Sequence, residues 1–362
     1  MRLLVVNAGS SSLKLTVLEP DGSVAAAQTV DRWAGDLAPI DVFLARCGAV
    51  HAVGHRIVHG GPRYAGPARV DDELVGYLAS ISHLAPLHQA RALAGVRAVG
   101  QLAAGVPAVA CFDTAFHAAL PAAARTYALP RDWNERWQLR RYGFHGLSHA
   151  YAVRRGAQLA GRSAAELRIV SCHLGAGASL AAVRGGASVD TTMGFTPLAG
   201  LVMATRSGSL DPGLLLWLLE HGPVPPAELG DALEHRSGLA GLSGTSGDLR
   251  EVLAGVAAGD AGCVLAFDVY LHRLAREVAA MTAAVGGLDL LVLTGGVGEH
   301  APVVRAGMAA RLGYLGVALD PTSNERTTVD EDISAAGSAA RTVVVTARED
   351  LEIQRQVRTL LG

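Results

Sequence analysis

Short apolar runs alternate with helical periodicity along this chain, and together they predict its elements. Residues 3–6 form such a run, β-branched in its second half, which predicts a buried strand. A turn of small residues, Asn7-Ala8-Gly9-Ser10-Ser11-Ser12, separates it from 13–18, whose alternating facing predicts a second strand stopped by Glu19-Pro20-Asp21-Gly22. Residues 31–50 carry no clear pattern. Strands are predicted over 50–58 and 106–112, and helices over 73–85 and 89–104, with Pro86-Leu87-His88 as a break between the helices. Residues 121–140 read as an irregular surface excursion, and 150–159 as a helix. A second hairpin is predicted from 169–174 and 180–183 around Gly175-Ala176-Gly177-Ala178-Ser179. Helical patterns follow over 214–219, 226–236, 252–258 and 261–285, the last strongly periodic, while 237–250 reads as a long Gly/Ser loop. Strands over 288–293 and 342–346 and a helix to 361 complete the pattern.

Sliding the chain by 167 positions lays Ser179-Leu180 on Ser12-Leu13, so the second hairpin repeats the first. This predicts a duplicated α/β protein of two domains, each opening on a glycine-tipped hairpin, facing each other across a cleft. A length of 362 residues and 43 glycines accommodate that plan. A net charge of −2 argues against a nucleic-acid-binding face. The chain has no apolar run of 18 residues that would predict a membrane span, and no signal-peptide core follows its first residues. Cys47, Cys111, Cys172 and Cys263 lack metal-type spacing and are expected as buried thiols of a cytoplasmic protein.

The candidate chemistry sits at the ends of the predicted strands. The turn at 7–12 is either an ordinary hairpin tip or an anion cradle of exposed N–H groups and hydroxyls. Lys14, beside it, is the only lysine in the chain. Arg56 offers a planar donor fork for carboxylate or phosphate. Asp113 ends a buried strand, a position suited to a metal or catalytic carboxylate, or equally to capping a turn. Residues 140–149, with two Arg, two His and two Gly, read as a site loop at a helix N-terminus. Arg206, flanked by small residues, is free to reach into a cleft or lies solvated on a loop. Thr294-Gly295-Gly296-Val297-Gly298-Glu299-His300 is a glycine-rich strand-to-helix turn, but neither a dinucleotide fingerprint nor a P-loop.

With these segments assembled, the chain resembles the acetokinase family along essentially its whole length. The segments that carry the resemblance are residues 7–14, His55-Arg56-Ile57-Val58-His59-Gly60-Gly61, 112–117, Arg141-Tyr142-Gly143-Phe144-His145-Gly146, Thr205-Arg206-Ser207-Gly208 and 294–299. The resemblance implies the two-lobed acetate and sugar kinase/Hsp70/actin fold, with duplicated ribonuclease-H-like domains and a central cleft. The expected lobes are 1–147, with the helix 350–362 packing back on it, and 148–349 as the nucleotide-binding lobe. It also implies a homodimer that uses ATP and Mg²⁺ (or Mn²⁺) to phosphorylate acetate.

By the same resemblance, Arg56 and Arg206 would grip the carboxylate and the transferring phosphoryl group, with His145 hydrogen-bonding that group and His88 and His173 nearby. Asp113 would order Mg²⁺ or an arginine and not abstract a proton. Asn7 and Glu349 would hold the metal, and Ser10, Ser12 and Lys14 would line the phosphate end. Val58, Leu87, Phe144 and Pro197 would form the methyl pocket. Gly175, Ala176, Gly177, Asp248, Leu249, Arg250, Gly296, Val297, Gly298 and His300 would surround the nucleotide. The chain departs from the family pattern at Ala176 and His300, where Asn is usual, and at Gln89-Ala90, Leu147, Ala204 and Ser209. A propionate or other short-chain acyl kinase, a weakened regulatory relative and an ATP-switched chaperone-type protein are the alternatives. The Arg56, Arg206 and His145 set argues against the last, which has no carboxylate to clamp.

Overall fold

The computed structural model describes residues 1–9, 12–222, 224–327 and 329–362, with the side chains of Pro86 and Leu87 outside that set. The chain divides into two compact units. Unit 1 comprises Met1–Ala119, Phe144–Tyr151 and Arg348–Gly362, and unit 2 comprises Leu120–Gly143 and Ala152–Ala347. Residues 120–143 therefore group with unit 2, and 148–151 with unit 1.

Unit 1 is built on six strands: β1 (Leu3–Ala8), β2 (Ser12–Leu18), β3 (Val24–Asp31), β4 (Ala52–Ile57), β5 (Ala68–Arg69) and β6 (Ala108–Phe112). Their order is β3-β2-β1-β4-β6-β5. β1, β4 and β6 run parallel, and β2, β3 and β5 run antiparallel to their neighbours. Unit 2 has β7 (Arg168–Leu174), β8 (Ala178–Arg184), β9 (Ala187–Thr191), β10 (Leu290–Thr294), β11 (Glu331–Asp332) and β12 (Arg341–Val344), ordered β9-β8-β7-β10-β12-β11. Strand for strand, in order and in sense, the second sheet repeats the first. The duplication inferred from the two hairpins is real at the level of topology.

The alignment that suggested it is off by two residues on the second strand. The first hairpin closes with the pair Ala8↔Leu13 and the second with Leu174↔Ala178. Superposing those closing pairs sets His173 on Asn7 and Ser179 on Lys14, because the second tip is one residue shorter. A slip of two preserves side-chain facing, so the period-two pattern could not reveal it.

The two faces of the first sheet follow from strand alternation. Leu4, Val6, Val53 and their neighbours pack with residues from the helices Ala38–Cys47 and Pro86–Leu102. Leu3, Val5, Ala52, Val109 and Cys111 pack against Ile353 and Val357 of the helix Glu349–Leu361. That helix comes so close to β4 that a Cβ on Gly54 would collide with Ile353.

Several elements differ from expectation. The break expected at 86–88 is instead the first turn of a helix, where Pro86 needs no N–H partner. Residues 121–140 contain the short helices Ala122–Arg125 and Arg131–Trp137, and the Gly/Ser stretch holds the helix Gly238–Ser243. All four cysteines are buried and free. Among the described residues no helix is long and apolar enough to cross a membrane.

His55 and His59 are buried in unit 1, and burial pulls both imidazoles down to about 4, with His83 adding to the effect at His59. Below the ordinary histidine value of 6.5 the unfolded chain takes up protons that these residues refuse. Their contribution to stability is thus complete above pH 6.5 and is lost as pH falls toward 4. The expected cost at pH 5 is on the order of 2 kcal/mol per histidine. Denaturant titrations of wild type and His55→Leu at several pH values measure it. The variant should lose about half of the pH dependence between 6.5 and 5, and an unchanged slope would refute the assignment.

Candidate active site

Strand alternation assembles the chemistry of unit 1. Asn7, Arg56 and Asp113 each continue the series that faces the helix Glu349–Leu361: Leu3, Val5, Asn7 on β1; Ala52, Gly54, Arg56 on β4; Val109, Cys111, Asp113 on and just beyond β6. All three lie at the carboxyl ends of parallel strands, where α/β sheets place their sites. Glu349 opens the helix that covers this face.

Arg56 is the hub. Its Nε and Nη2 donate to the two oxygens of Asp113 at 3.1 and 2.6 Å, and its Nη1 donates to Asn7 Oδ1 at 3.2 Å. Glu349 Oε2 lies 3.6 Å from Nε. Burial works against the guanidinium charge, but Asp113 and then Glu349 overcome it and raise its affinity for the proton. Burial raises the Glu349 carboxyl above its usual range. Arg56 and Lys14 pull it back, and Asp113 pushes it further up. Lys14, exposed on β2 and paired in register with Asn7, therefore acts as a local positive field.

The loops around this cluster are tied to one another. Gly60 N donates to Thr114 Oγ1 at 3.1 Å, and Gln89 Nε2 donates to His59 O at 2.9 Å. His145 has a left-handed backbone, φ +56°, which strains a residue with a side chain. The next residue, Gly146, donates its N–H to Asp113 O at 2.9 Å, and a Cβ there would strike that carbonyl. His145 and Asp113 are in this way fixed by adjacent atoms. Phe144 and Val58 are buried, and the Phe144 ring lies edge-on to His59 at 5.6 Å. Ser12 is half-buried at the start of β2, and His88 lies in the first turn of its helix. Ser10 and the Leu87 side chain lie outside the described residues.

In unit 2, Arg206 is anchored through two of its three nitrogens. Its Nε pairs with Glu234 at 3.1 Å and its Nη1 donates to Pro197 O at 3.3 Å. The backbone on either side is stitched down: Met203 N donates to Arg206 O, Ser207 N to Leu233 O, and Thr205 Oγ1 to Glu234 O. The same loop meets the hairpin tip through Ala204 N, which donates to Ala176 O at 3.0 Å. Asp248 caps the helix Leu249–Ala257. Its carboxyl is held down to about 2, first by the Arg250 side chain and then by the Arg250 N–H. Leu249 is buried beneath that cap, while Arg250 is exposed. Gly175 and Gly177 close the hairpin tip with a 3.1 Å bond, and Ala176 is exposed at it, with His173 half-buried on β7.

The turn after β10 is exposed at Gly296 and His300 and half-buried at Val297, and a Cβ on Gly296 would meet nothing. Gly298 is buried behind it. Two residues hold this turn: Glu299, which the sequence places within the motif, and Arg305, which it does not mark. Glu299 Oε1 accepts from Gly295 N at 2.9 Å and Ala347 N at 3.0 Å. Arg305, fully buried, donates through Nη1 to Gly298 O and Glu299 O, and through Nε to Asn324 Oδ1. Glu234 was missed in the same way, since nothing local marks a carboxylate as the partner of a distant arginine. Arg141, read as a site residue at 140–149, is a structural clasp whose Nη1 donates to the carbonyls of Thr191, Thr192 and Met193.

Comparison with known proteins matches residues 25–355 to the model of the acetokinase family. The acetate kinase of Gloeobacter violaceus is 48% identical over 308 residues, covering 85% of this chain and 76% of that protein. That of Thermotoga maritima is 39% identical, covering 100% and 99%. Among solved structures, Porphyromonas gingivalis acetate kinase superposes with a TM-score of 0.93 at 34% identity over the full length of both chains. A propionate kinase from Francisella tularensis reaches 0.91 at 31% identity over 98% of each chain. The paired sheets, the strand-end arginine and this likeness along the whole chain lead to one conclusion: the chain belongs to the acetokinase family.

Proposed function

We propose that the chain is an acetate kinase, transferring the γ-phosphoryl group of ATP reversibly to acetate to give acetyl phosphate and ADP. The observation that carries this is the Arg56 guanidinium, locked by Asp113 and Asn7 at the strand ends. A rigid cationic fork suits an acceptor that is already an anion. Acetate, with a carboxyl pKa near ~4, has no proton to remove at neutral pH, so no general base is needed. Phosphoryl transfer then depends on positioning and on neutralising charge on the equatorial oxygens. Arg56 and Arg206 grip the carboxylate and the moving group, and His145, in its fixed backbone, donates a hydrogen bond to it. Asp113 orients Arg56. Val58, Phe144 and Pro197 enclose the methyl group. Ser12 and Lys14 line the phosphate end.

Asn7 Oδ1 and the Glu349 carboxylate, both beside Arg56, are hard oxygen donors that would hold Mg²⁺ or Mn²⁺. When bound, the ion neutralises charge on the phosphates. The nucleotide lies against Gly175–Gly177, Asp248–Arg250 and Gly296–His300, all of unit 2. A homodimer is supported by the helix Pro212–His221, which buries none of its residues and leaves Leu216 59% and Trp217 55% exposed. Four buried, unbridged thiols are in keeping with a cytoplasmic setting.

A hydroxamate assay with ATP and acetate, propionate or butyrate tests the activity. Acetyl phosphate should form with the highest kcat/KM, and absence of any acyl phosphate would overturn the proposal. Glu299→Ala, which leaves two backbone N–H groups without their acceptor, should raise the KM for ATP about tenfold or more while changing the KM for acetate little. Equal effects on both constants would show that Glu299 supports the fold and not the nucleotide turn.

A further inference from the structure

The stretch 121–140, irregular by its sequence, forms a bracket in unit 2 that has no part in the chemistry described so far. Its two ends are joined. Thr126 and Arg140 form an isolated β-bridge, Arg141 N donates to Arg125 O at 2.7 Å, and Arg141 Nε donates to Ala124 O at 3.3 Å. Tyr127 follows the bridge. Its carbonyl accepts from Asn134 Nδ2 at 2.8 Å, in the helix Arg131–Trp137, so the residue is held from within the bracket.

The Tyr127 hydroxyl reaches a second loop of the same unit. Its oxygen accepts the N–H of Phe195 at 2.8 Å. Gly194, one residue earlier, is buried, and a Cβ on it would strike that oxygen. Gly194 O accepts from Tyr142 N at 3.0 Å, and Gly194 N donates to Thr196 O at 3.3 Å, which folds the loop into a tight turn. The turn leads into Pro197. A proline nitrogen has no hydrogen to donate. Pro197 is therefore located by its carbonyl, which accepts from Arg206 Nη1 at 3.3 Å, and by the turn before it. The bond at Phe195 N, two residues upstream, fixes that turn.

We propose that Tyr127 is a positioning residue that sets the length of acyl chain this protein accepts. The inference rests on the assignment of Pro197 to the methyl pocket. Tyr127 acts through Phe195 and Pro197 and not on the substrate. With the hydroxyl in place the turn is fixed and the pocket ends at a methyl group. Without it the Phe195 N–H loses its acceptor, and Pro197 can yield to one more methylene. A single methylene in an apolar pocket is worth about 10–200-fold in discrimination, so a small movement of one wall changes the preference. Both residues are needed in their exact types: only an oxygen at this point of residue 127 accepts the N–H, and only glycine at 194 leaves that oxygen its room.

Tyr127→Phe removes one oxygen and keeps the ring. In steady-state kinetics with acetate, propionate and butyrate, it should raise the propionate-to-acetate ratio of kcat/KM about tenfold. The KM for acetate should rise, and the KM for ATP should not change. Gly194→Ala, whose Cβ displaces the hydroxyl, should shift the ratio in the same direction and so tests the same contact from its other side. A hydroxyl that served the fold alone would lower the thermal midpoint and leave the ratio where it was. An unchanged ratio in an active Tyr127→Phe protein would overturn the proposal and leave the kinase assignment intact. Wild type that forms no acyl phosphate from any of the three acids would instead remove the assignment, and the inference with it.

Discussion

Arg206→Ala is expected to lower turnover with ATP and acetate roughly 10³-fold or more, the scale set by arginines that neutralise a transferring phosphoryl group. The structure sharpens how that loss must be read. Arg206 pairs with Glu234 at 3.1 Å and supports the carbonyl of Pro197, so its removal could act through the loop alone. Glu234→Gln separates the two effects, because it breaks the ion pair while leaving the guanidinium in place. If Arg206 works on the substrate, Glu234→Gln should stay within about tenfold of wild type. Arg206→Lys, retaining charge without the fork, should recover only part of the loss. Steady-state kinetics alongside thermal midpoints measure all three. An Arg206→Ala protein within tenfold of wild type would refute the role.

Asp113→Asn should cost roughly 10² or more in kcat, the order found when a group that preorganises an active site is removed. Asp113 is 2% exposed as a side chain and accepts two hydrogen bonds from Arg56. Neutralising it leaves a shielded guanidinium with Asn7 and the more distant Glu349 as partners. Loss of one member of a buried pair also lowers stability, here by about 3 kcal/mol. The pH–rate profile distinguishes orientation from proton abstraction. An orienting Asp113 predicts that the variant keeps the acidic limb of wild type at a lower plateau. A lost acidic limb would make Asp113 a base and contradict a substrate that carries no proton.

Those two residues show how unevenly the sequence discloses the site. Arg56 and Asp113 are legible because each ends an apolar strand, where polarity breaks a buried run. Their contact is legible only once β4 and β6 are known to be neighbours. Arg206 stands out among small residues, yet its setting does not, since Glu234 is 28 positions away on another helix. Glu299 meets Ala347 N, and Arg305 meets Asn324, only through tertiary structure, and no local spacing encodes those contacts. β3 escaped notice because none of its eight residues is fully buried, so an edge strand with Ala at three positions lacks the alternation that marks a strand. The helix Gly238–Ser243 was hidden for a different reason: four of its residues are Gly, Ala or Ser, and it is held by hydrogen bonds to Met203 and Ala204 and not by an apolar stripe. The long helix Ala261–Val285 is legible over its whole length because ten buried positions recur in helical period.

The interrupted path of unit 1 has a consequence in time. Its strands β1 to β6 leave the ribosome early, but the helix Glu349–Leu361, which packs on one face of their sheet, follows some two hundred residues of unit 2. A nascent sheet carrying Leu3, Val5 and Cys111 must wait with that face uncovered, whereas unit 2 can close its own sheet once β12 has emerged. Vectorial synthesis usually completes the N-terminal domain first. Here the order is inverted, and the last piece to arrive also brings Glu349 to Arg56. The nascent chain thus has no complete unit 1 site until Glu349 has emerged, and a holdase that shields the β1–β4–β6 face would protect it in that interval.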